Sequence, residues 1–235
     1  MMAVDLHSHI LPKIDDGSHS LEQTLQMLEE EARQGITHVV ATPHFYARYS
    51  NPDTFLARRA KAAAALEEAI AGRTDLPRVT LGAEVYYFAG IGESEHLSRL
   101  TLGNTRFVLI EMPNPPWTES MYRELEQIYV QQGLTPVIAH VDRYIRPWHT
   151  HGIPKRLEQL PVLVQANGEF FLEKSTANMA LRMLRRGQIH LLGSDCHNLS
   201  DRAPNLGDAC RCIRQKLGQP ALDWVGRFEA LVFEK

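Results

Sequence analysis

Nine histidine and carboxylate side chains stand at, or soon after, the ends of successive apolar segments along this chain of 235 residues. Each apolar segment has the character of a buried β-strand, and most are followed by a stretch with helical periodicity. The nine side chains are His7, His9, Asp16, His44, Glu84, Glu111, His140, Asp195 and His197. Because the carboxyl ends of neighbouring parallel strands meet at one edge of a sheet, this placement predicts a single polar site.

Seven strand-then-helix units are predicted. The strands span Ala3–His7, Ile36–Thr42, Arg78–Glu84, Arg106–Glu111, Thr135–His140, Val162–Ala166 and Ile189–Ser194. The first helix begins at about Leu21, after a Ser20 cap, and the second spans Thr54–Ala71. The others lie at about Glu119–Gln132, Thr176–Arg186, Leu206–Leu217 and Ala221–Val232. Such alternation is typical of a parallel sheet covered by helices through right-handed crossovers.

Two architectures fit this alternation, a closed or distorted β/α barrel and an open doubly wound sheet. The candidate side chains follow six of the seven predicted strands. A barrel brings all of those strand ends to one mouth, whereas an open sheet gathers only the ends near its switch point. We therefore expect an α/β barrel that forms one domain over residues 1–235.

Composition excludes some classes of function. Lys and Arg total 25 against 28 Asp and Glu, a net charge of -3, which does not favour nucleic acid as a partner. The three cysteines, Cys196, Cys210 and Cys212, show no CxxC spacing, so a reduced, cytoplasmic protein is expected. The chain begins directly on a predicted strand, and no apolar run approaches the roughly 18 residues that span a bilayer.

The residue types predict metal-dependent hydrolysis, most readily of a phosphate ester. In the segment from His7 to His9, alternate residues point the same way, so both imidazoles can face one ion. Glu84 ends an apolar strand, where a buried carboxylate needs a cation, and we expect it to bridge two ions. Asp16, beside a glycine, has the alternative of being a turn or helix-entry acid. Mixed imidazole and oxygen ligands suit manganese, iron or zinc.

A rival motif is the spacing C-x5-R between Cys196 and Arg202, which is that of cysteine-dependent tyrosine phosphatases. That chemistry needs a thiolate with a lowered pKa in a loop of converging backbone N–H groups. The intervening residues contain no glycine, and the neighbouring Asp195 disfavours a thiolate. The metal-based interpretation is therefore preferred.

Six segments together resemble a known family: DLHSHILPKIDDG, ATPHF, LGAE, LIEMP, AHVDRY and GSDCHN. They are similar to the polymerase and histidinol phosphatase superfamily, and most of all to its bacterial tyrosine-phosphatase branch of the CpsB/CapC type. The resemblance runs from residue 5 to about residue 205. It implies a distorted seven-stranded β/α barrel of the TIM type and three divalent metal ions, with manganese or iron as the usual metals. It also implies hydrolysis of phosphotyrosine on proteins, such as a bacterial tyrosine kinase that controls polysaccharide export.

The resemblance also implies roles for particular residues. The first ion would be held by His7, His9, Glu84 and Asp195, the second by Glu84, Glu111 and His140, and the third by Asp16, His44 and His197. Arg143 and Arg202 resemble the arginines that bind phosphate in the family. Asp142, beside His140, is the acid we expect to deliver a proton.

Two other functions fit the same residues. One is a small-molecule phosphomonoesterase such as histidinol phosphatase, and the other is a non-catalytic module that binds a kinase through a metal site. Aromatic side chains near the strand ends either flank a phosphotyrosine ring or serve as ordinary packing. They are Phe45, Tyr46, Tyr49, Tyr86, Tyr87, Phe88, Trp117 and Trp148. His149 and His151 have no evident carboxylate partner and are expected at the surface.

Overall fold

The computed structural model describes residues 4–145 and 152–233. Within them, nine short strands form two parallel sheets. The strands are β1 (Val4–Ser8), β2 (His38–Ala41), β3 (His44–Phe45), β4 (Arg78–Leu81), β5 (Glu84–Tyr86), β6 (Phe107–Glu111), β7 (Thr135–Ile138), β8 (Leu163–Asn167) and β9 (Leu191–Gly193). One sheet has the order β1-β2-β4, and the other has the order β3-β5-β6-β7-β8-β9.

The third predicted strand is divided in two, and the second is followed by a further short strand beyond its predicted end; neither feature was predicted. β2 and β3 are separated by Thr42 and Pro43, and Pro43 has no N–H to donate to a ladder. β4 and β5 are separated by Gly82 and Ala83. At both breaks the chain passes from the three-stranded sheet into the six-stranded one.

The edges of the two sheets also approach each other through β1 and the segment after β9. The backbone N–H of Asp195 donates to the carbonyl of His7 at 2.7 Å, and that of His9 donates to the carbonyl of Cys196 at 2.9 Å. The result is a mixed α/β fold with a curled parallel sheet, whose larger part has six strands. Because the strands are parallel, their carboxyl ends lie along one edge of this curled sheet.

Eight helices lie in the described ranges. They are α1 (Leu21–Arg33), α2 (Pro52–Ala69), α3 (Glu119–Gln132), α4 (Ile153–Leu157), α5 (Glu169–Leu172), α6 (Ala177–Arg185), α7 (Leu206–Leu217) and α8 (Gln219–Phe233). The predicted Ser20 cap is confirmed, since its side chain accepts a hydrogen bond from the Gln23 N–H. Asn51 and Thr118 cap α2 and α3 in the same way. The short helices α4 and α5 were not predicted.

Apolar side chains of the helices pack against the sheet and leave the strand ends for polar groups. Met27 and Leu28 of α1 and Leu125 and Ile128 of α3 are fully buried in this way. No helix in the described ranges is long and apolar enough to cross a membrane. Predictions that involve Ala3, and the expected positions of Trp148, His149 and His151, lie outside the described residues.

Candidate metal centre

All nine predicted side chains converge beyond the carboxyl ends of the strands. Six of them are no more than 3% exposed, His44 is 12% exposed and Glu111 is 13% exposed. Asp16 is the exception, with 66% of its side chain exposed. A cluster of buried imidazoles and carboxylates is costly unless its members pair with one another or bind cations.

Four donor atoms form the tightest group. His7 Nε2 and His9 Nε2 are 3.2 Å apart. Both nitrogens lie 3.3 Å from Glu84 Oε2 and 3.4 Å from Asp195 Oδ1. Four ligands placed tetrahedrally at about 2.0–2.1 Å from one ion would be about 3.3–3.4 Å apart. The separations therefore fit one shared cation.

A second group surrounds the other side of Glu84. His140 Nε2 lies 2.8 Å from Glu84 Oε1 and 3.6 Å from Glu111 Oε1. His44 Nδ1 approaches Glu84 Oε2 to 2.9 Å, yet neither of these two buried atoms forms a hydrogen bond within the described structure. Lone pairs that face each other in this way are expected where a cation lies between them. Glu84 thus faces both groups, with Oε2 shared between His7, His9 and His44 and Oε1 toward His140, as a bridging ligand requires.

A third group includes the exposed carboxylate. Asp16 Oδ1 lies 3.5 Å from both His44 Nε2 and His197 Nε2. With His9, these residues offer donor atoms that all lie within 4.8 Å of one another. His9 and His44 each belong to two groups, a sharing that the sequence did not predict.

The buried charges favour cations. Burial alone would raise the pKa of Glu84 and of Asp195, but the neighbouring His7 and other imidazoles hold both values well below their usual range. Burial would lower the pKa of His7, but the charges of Glu84 and Asp195 outweigh it and raise that pKa. Burial and the charge of Glu84 raise the pKa of Glu111. Glu84 and Asp195 are therefore buried, ionised carboxylates, which need cationic partners beside them.

Two of the candidate ligands sit on strained backbone. His140 has φ +32° and Asp195 has φ +54°, values in the left-handed region that non-glycine residues seldom adopt. Both follow a strand by two residues, where β7 and β9 end. Strain of this kind persists where the surrounding structure requires it, and it concentrates at functional sites.

Several orienting residues were missed by the sequence analysis. Asp15 Oδ2 accepts a hydrogen bond from His9 Nδ1 at 2.8 Å, so it turns Nε2 toward the other donors. On β8, Gln165 Oε1 accepts from the His140 N–H at 2.6 Å and lies 3.3 Å from His7 Nδ1. The sequence did contain a sign of this role, because Gln165 and Asn167 alternate at a strand end just as His7 and His9 do.

The two predicted arginines lie at the mouth of the cluster. Arg143 Nη2 is 2.5 Å from Asp195 Oδ2, and its Nη1 is 3.3 Å from Glu111 Oε1. Arg202 Nη2 is 2.8 Å from Asp195 Oδ1. Asp142 Oδ1 accepts a hydrogen bond from the Asn167 N–H at 3.0 Å.

Cys196 does not have the surroundings of a nucleophile. Its side chain is fully buried, and burial together with the charges of Glu31 and Asp5 raises the pKa of the thiol well above its usual value. A nucleophilic cysteine needs the opposite, an accessible thiolate with a lowered pKa. The spacing between Cys196 and Arg202 is thus not a cysteine-phosphatase loop.

The fold and the grouped donors define a class, that of metal-dependent α/β hydrolases with the reaction site at the carboxyl ends of parallel strands. Residues 3–227 match the family model described as "Capsular polysaccharide synthesis, CpsB/CapC". The chain belongs to this CpsB/CapC family.

Individual relatives agree with this membership. The chain is 30% identical over 225 residues to "Tyrosine-protein phosphatase CpsB" of Streptococcus pneumoniae, covering 92% of this chain and 91% of the relative. It is 28% identical over 226 residues to the protein of the same name from Streptococcus agalactiae, covering 92% and 91%. A solved chain from work on YwqE of Bacillus subtilis and CpsB of Streptococcus pneumoniae, described as metal-dependent tyrosine phosphatases, has a TM-score of 0.82. The match covers 97% of this chain and 94% of that one at 24% identity, which establishes the shared fold.

Proposed function

We propose that this protein is a metal-dependent phosphatase that hydrolyses phosphotyrosine on proteins. The observation that carries the proposal is the convergence of nine imidazole and carboxylate side chains into three adjoining donor groups. The names of the relatives, which are tyrosine-protein phosphatases, give the substrate class. Within the capsule-synthesis context of the family, we propose a bacterial tyrosine kinase as the partner.

We assign three divalent cations to the site, with manganese as the first choice and iron or zinc as alternatives. The ligands are His7, His9, Glu84 and Asp195 for the first ion, Glu84, Glu111 and His140 for the second, and Asp16, His44 and His197 for the third. The donor separations of 3.2–3.4 Å support the first set. The position of Glu84 between two groups supports its role as the bridge.

Divalent ions at such a site, when bound, supply the Lewis acidity that makes water a nucleophile near neutral pH. Arg143 and Arg202 bind the phosphoryl oxygens, a role supported by their position at the mouth beside Asp195. The phenolate of tyrosine is a favourable leaving group, since its conjugate acid, the phenol, has a pKa of about 10. Asp142, whose pKa is raised by burial, is the proposed donor of the proton to that leaving group.

The finer architecture is part of the same proposal. If β2 with β3 and β4 with β5 are each counted as one interrupted strand, the sheet has seven strands in a distorted barrel. The hydrogen bonds that join β1 to the segment after β9 support this count. We also propose that residues 1–235 form one domain and that the protein acts in the cytoplasm, where its three free cysteines stay reduced.

The test combines metal analysis with a substrate panel. Purified protein is expected to contain divalent metal, to release phosphate from phosphotyrosine peptides, and to act much more slowly on phosphoserine peptides and histidinol phosphate. A chelator should abolish turnover, while Cys196→Ser should keep most of it. Histidinol phosphate as the substrate with the highest kcat/KM would overturn the tyrosine-phosphatase proposal, and chelator-resistant turnover that is lost in Cys196→Ser would overturn the metal mechanism.

A further inference from the structure

Two tyrosines stand directly beyond candidate metal ligands on neighbouring strands. β3 and β5 pair in parallel with His44 opposite Glu84. Because side chains alternate along a strand, Tyr46 lies on the same face as His44, and Tyr86 lies on the same face as Glu84. The register therefore places two phenol rings side by side, one step further toward the mouth than two side chains of the metal centre.

The ring contacts agree with this register. The Tyr46 centroid is 5.1 Å from the His44 ring and 5.5 Å from the Tyr86 ring. Tyr49 meets Tyr46 edge-on at 6.3 Å, and 78% of Tyr49 is exposed. Tyr46 and Tyr86 are both half-buried, so part of each side chain remains accessible.

Other aromatic candidates serve packing instead. Phe45 is 2% exposed and packs edge-on against Phe55. The Trp117 indole N–H donates to the Pro113 carbonyl at 2.7 Å, and its ring meets that of Tyr144 at 4.9 Å inside the core. The rings of Tyr46 and Tyr86 are thus distinguished from these by exposure and by their place next to the metal-site side chains.

The charged groups lie next to the tyrosine pair on the following strands. Tyr86 is paired in register with Glu111 on β6. Arg143, after β7, reaches the other side of Glu111, with Nη1 3.3 Å from Oε1. Going around the curled sheet, the order is tyrosine rings, then carboxylate, then guanidinium. A phosphoryl group bound at the metal centre and by Arg143 would therefore lie beside the two rings.

We propose that Tyr46 and Tyr86 recognise the aromatic ring of the substrate and make the site selective for aryl over alkyl phosphate monoesters. The inference rests on the proposed function and adds to it the residues that determine specificity. Aromatic rings gain from offset or edge-on contact in addition to the apolar area that they bury. Two such contacts should give about a tenfold preference for an aryl ligand.

Binding of non-hydrolysable ligands tests this without turnover. Titration calorimetry on the metal-loaded protein compares phenylphosphonate, methylphosphonate and inorganic phosphate. The variants are Tyr46→Leu, Tyr86→Leu and their double, with Tyr46→Phe and Tyr86→Phe as ring-preserving controls. Tyr129→Leu on α3, where the tyrosine is 43% exposed, is the surface control. The wild type and all three controls should bind phenylphosphonate about tenfold more tightly than methylphosphonate, and the double leucine variant should lose that preference.

Inorganic phosphate affinity and metal content should stay within about twofold of the wild type in the double leucine variant, because the rings contact only the organic part of the ligand. An aryl preference that survives in this variant would contradict the proposal, as would a wild type without any preference. Loss of phosphate affinity together with the aryl preference would also overturn it, since the tyrosines would then act through the metal centre. If phenylphosphonate is preferred but phosphotyrosine is not hydrolysed, the role of Tyr46 and Tyr86 is supported and the proposed function is contradicted.

Discussion

At the scale of single residues, Asp15 and Asp16 are neighbours that hold different places at the site. Asp16 faces the rings of His44 and His197, whereas Asp15 accepts hydrogen bonds from His9 Nδ1 and from the His44 N–H at 3.0 Å. Burial would raise the pKa of Asp15, but its hydrogen bond with His9 lowers the value to about 2. Asp15 is therefore an ionised group that fixes the orientation of a candidate ligand.

Asp15→Asn should weaken metal binding although the residue is not itself a proposed ligand. An uncharged amide holds His9 less firmly, and loss of such an orienting group lowers metal affinity or activity by about 10–100-fold. Metal titration of the apoprotein measures the effect. The matched control is Asp75→Asn, a surface aspartate that is 63% exposed. Equal metal affinity in wild type and Asp15→Asn would show that His9 needs no such support.

Arg143 contacts carboxylates that we assign to the metal ions, so its own role needs a separate measurement. Arg143→Ala should leave the metal content intact and reduce kcat/KM by about 2–4 kcal/mol of transition-state stabilisation. Arg143→Lys should recover only part of the loss, because an ammonium lacks the planar fork of a guanidinium. Metal loss in the alanine variant would instead make Arg143 a structural support for the segment around His140.

At the scale of elements, the contact between β9 and β1 determines where His7 lies. A Cβ added to Gly193 would be 2.6 Å from the Cβ of His7 and 3.0 Å from its backbone nitrogen. Neither atom can move without moving β1. The glycine thus permits the close approach of two strands that both end at the metal centre.

Gly193→Ala is expected to displace β1 and to lower metal affinity as well as stability, with an overpacking cost of about 1–3 kcal/mol. Gly72→Ala is the matched control. Its φ of +80° makes alanine strained, but a Cβ there meets nothing within 4 Å. Urea unfolding and metal titration on both variants separate the two effects. The assignment fails if Gly193→Ala loses stability to the same extent as the control and keeps full metal affinity.

Helix α8 buries an acid beside the sheet. Glu229 is 9% exposed and lines an apolar cavity with Val4, Leu192 and Leu222. Burial and the nearby charge of Asp5 raise the pKa of Glu229 to about 8. The folded protein therefore retains a proton here that the unfolded chain loses above a pH of about 4.5.

The direction of the pH dependence of stability follows from this difference in pKa between the folded and unfolded states. As pH rises from about 4.5 to about 8, the unfolded state binds fewer protons than the folded state, so this group reduces the free energy of unfolding. Glu229→Gln should remove that decline and stabilise the protein at pH 7 by on the order of 2 kcal/mol. Urea unfolding at a series of pH values, with Glu126→Gln on the exposed face of α3 as control, measures it. Parallel pH profiles for wild type and Glu229→Gln would contradict the buried, protonated state.

At the scale of the whole molecule, the site joins distant parts of the curled sheet. His7, His44, Glu84 and Glu111 come from four strands, and the remaining donors follow β1, β7 and β9. Ions that bind this arrangement bind the folded state only, so they stabilise it by mass action.

Chelation should therefore lower the Tm as well as stop turnover. One ion at a hundred times its Kd adds about 2.7 kcal/mol, which for a chain of this length raises the Tm by about 5–10 °C. Scanning calorimetry before and after chelation, and after manganese is added back, measures the change. In Glu84→Gln the chelator should have a smaller effect, because a neutral amide is a poor bridge. An unchanged Tm after complete removal of metal would mean that the ions do not hold the strand ends together.

Much of the fold and of the site could be predicted from the sequence, because the relevant signals are local. The bounds of α3 and α7 agree with the approximate ranges predicted for them, since their apolar stripes lie within the segments themselves. The alternation of strands and helices predicted a parallel sheet. Polar residues after successive strands then predicted which side chains meet, because all strand ends of such a sheet face one way.

What only the tertiary structure decided depends on distances between remote parts of the chain. The breaks after Ala41 and Leu81, the hydrogen bond of Asp15 to His9, and the place of Gln165 beneath the imidazoles have no counterpart in local periodicity. The sequence indicates that a polar side chain stands at a strand end. Which atoms then come within 3 Å of one another is set by strand order, the curl of the sheet and the packing of its helices, and these depend on the whole chain at once.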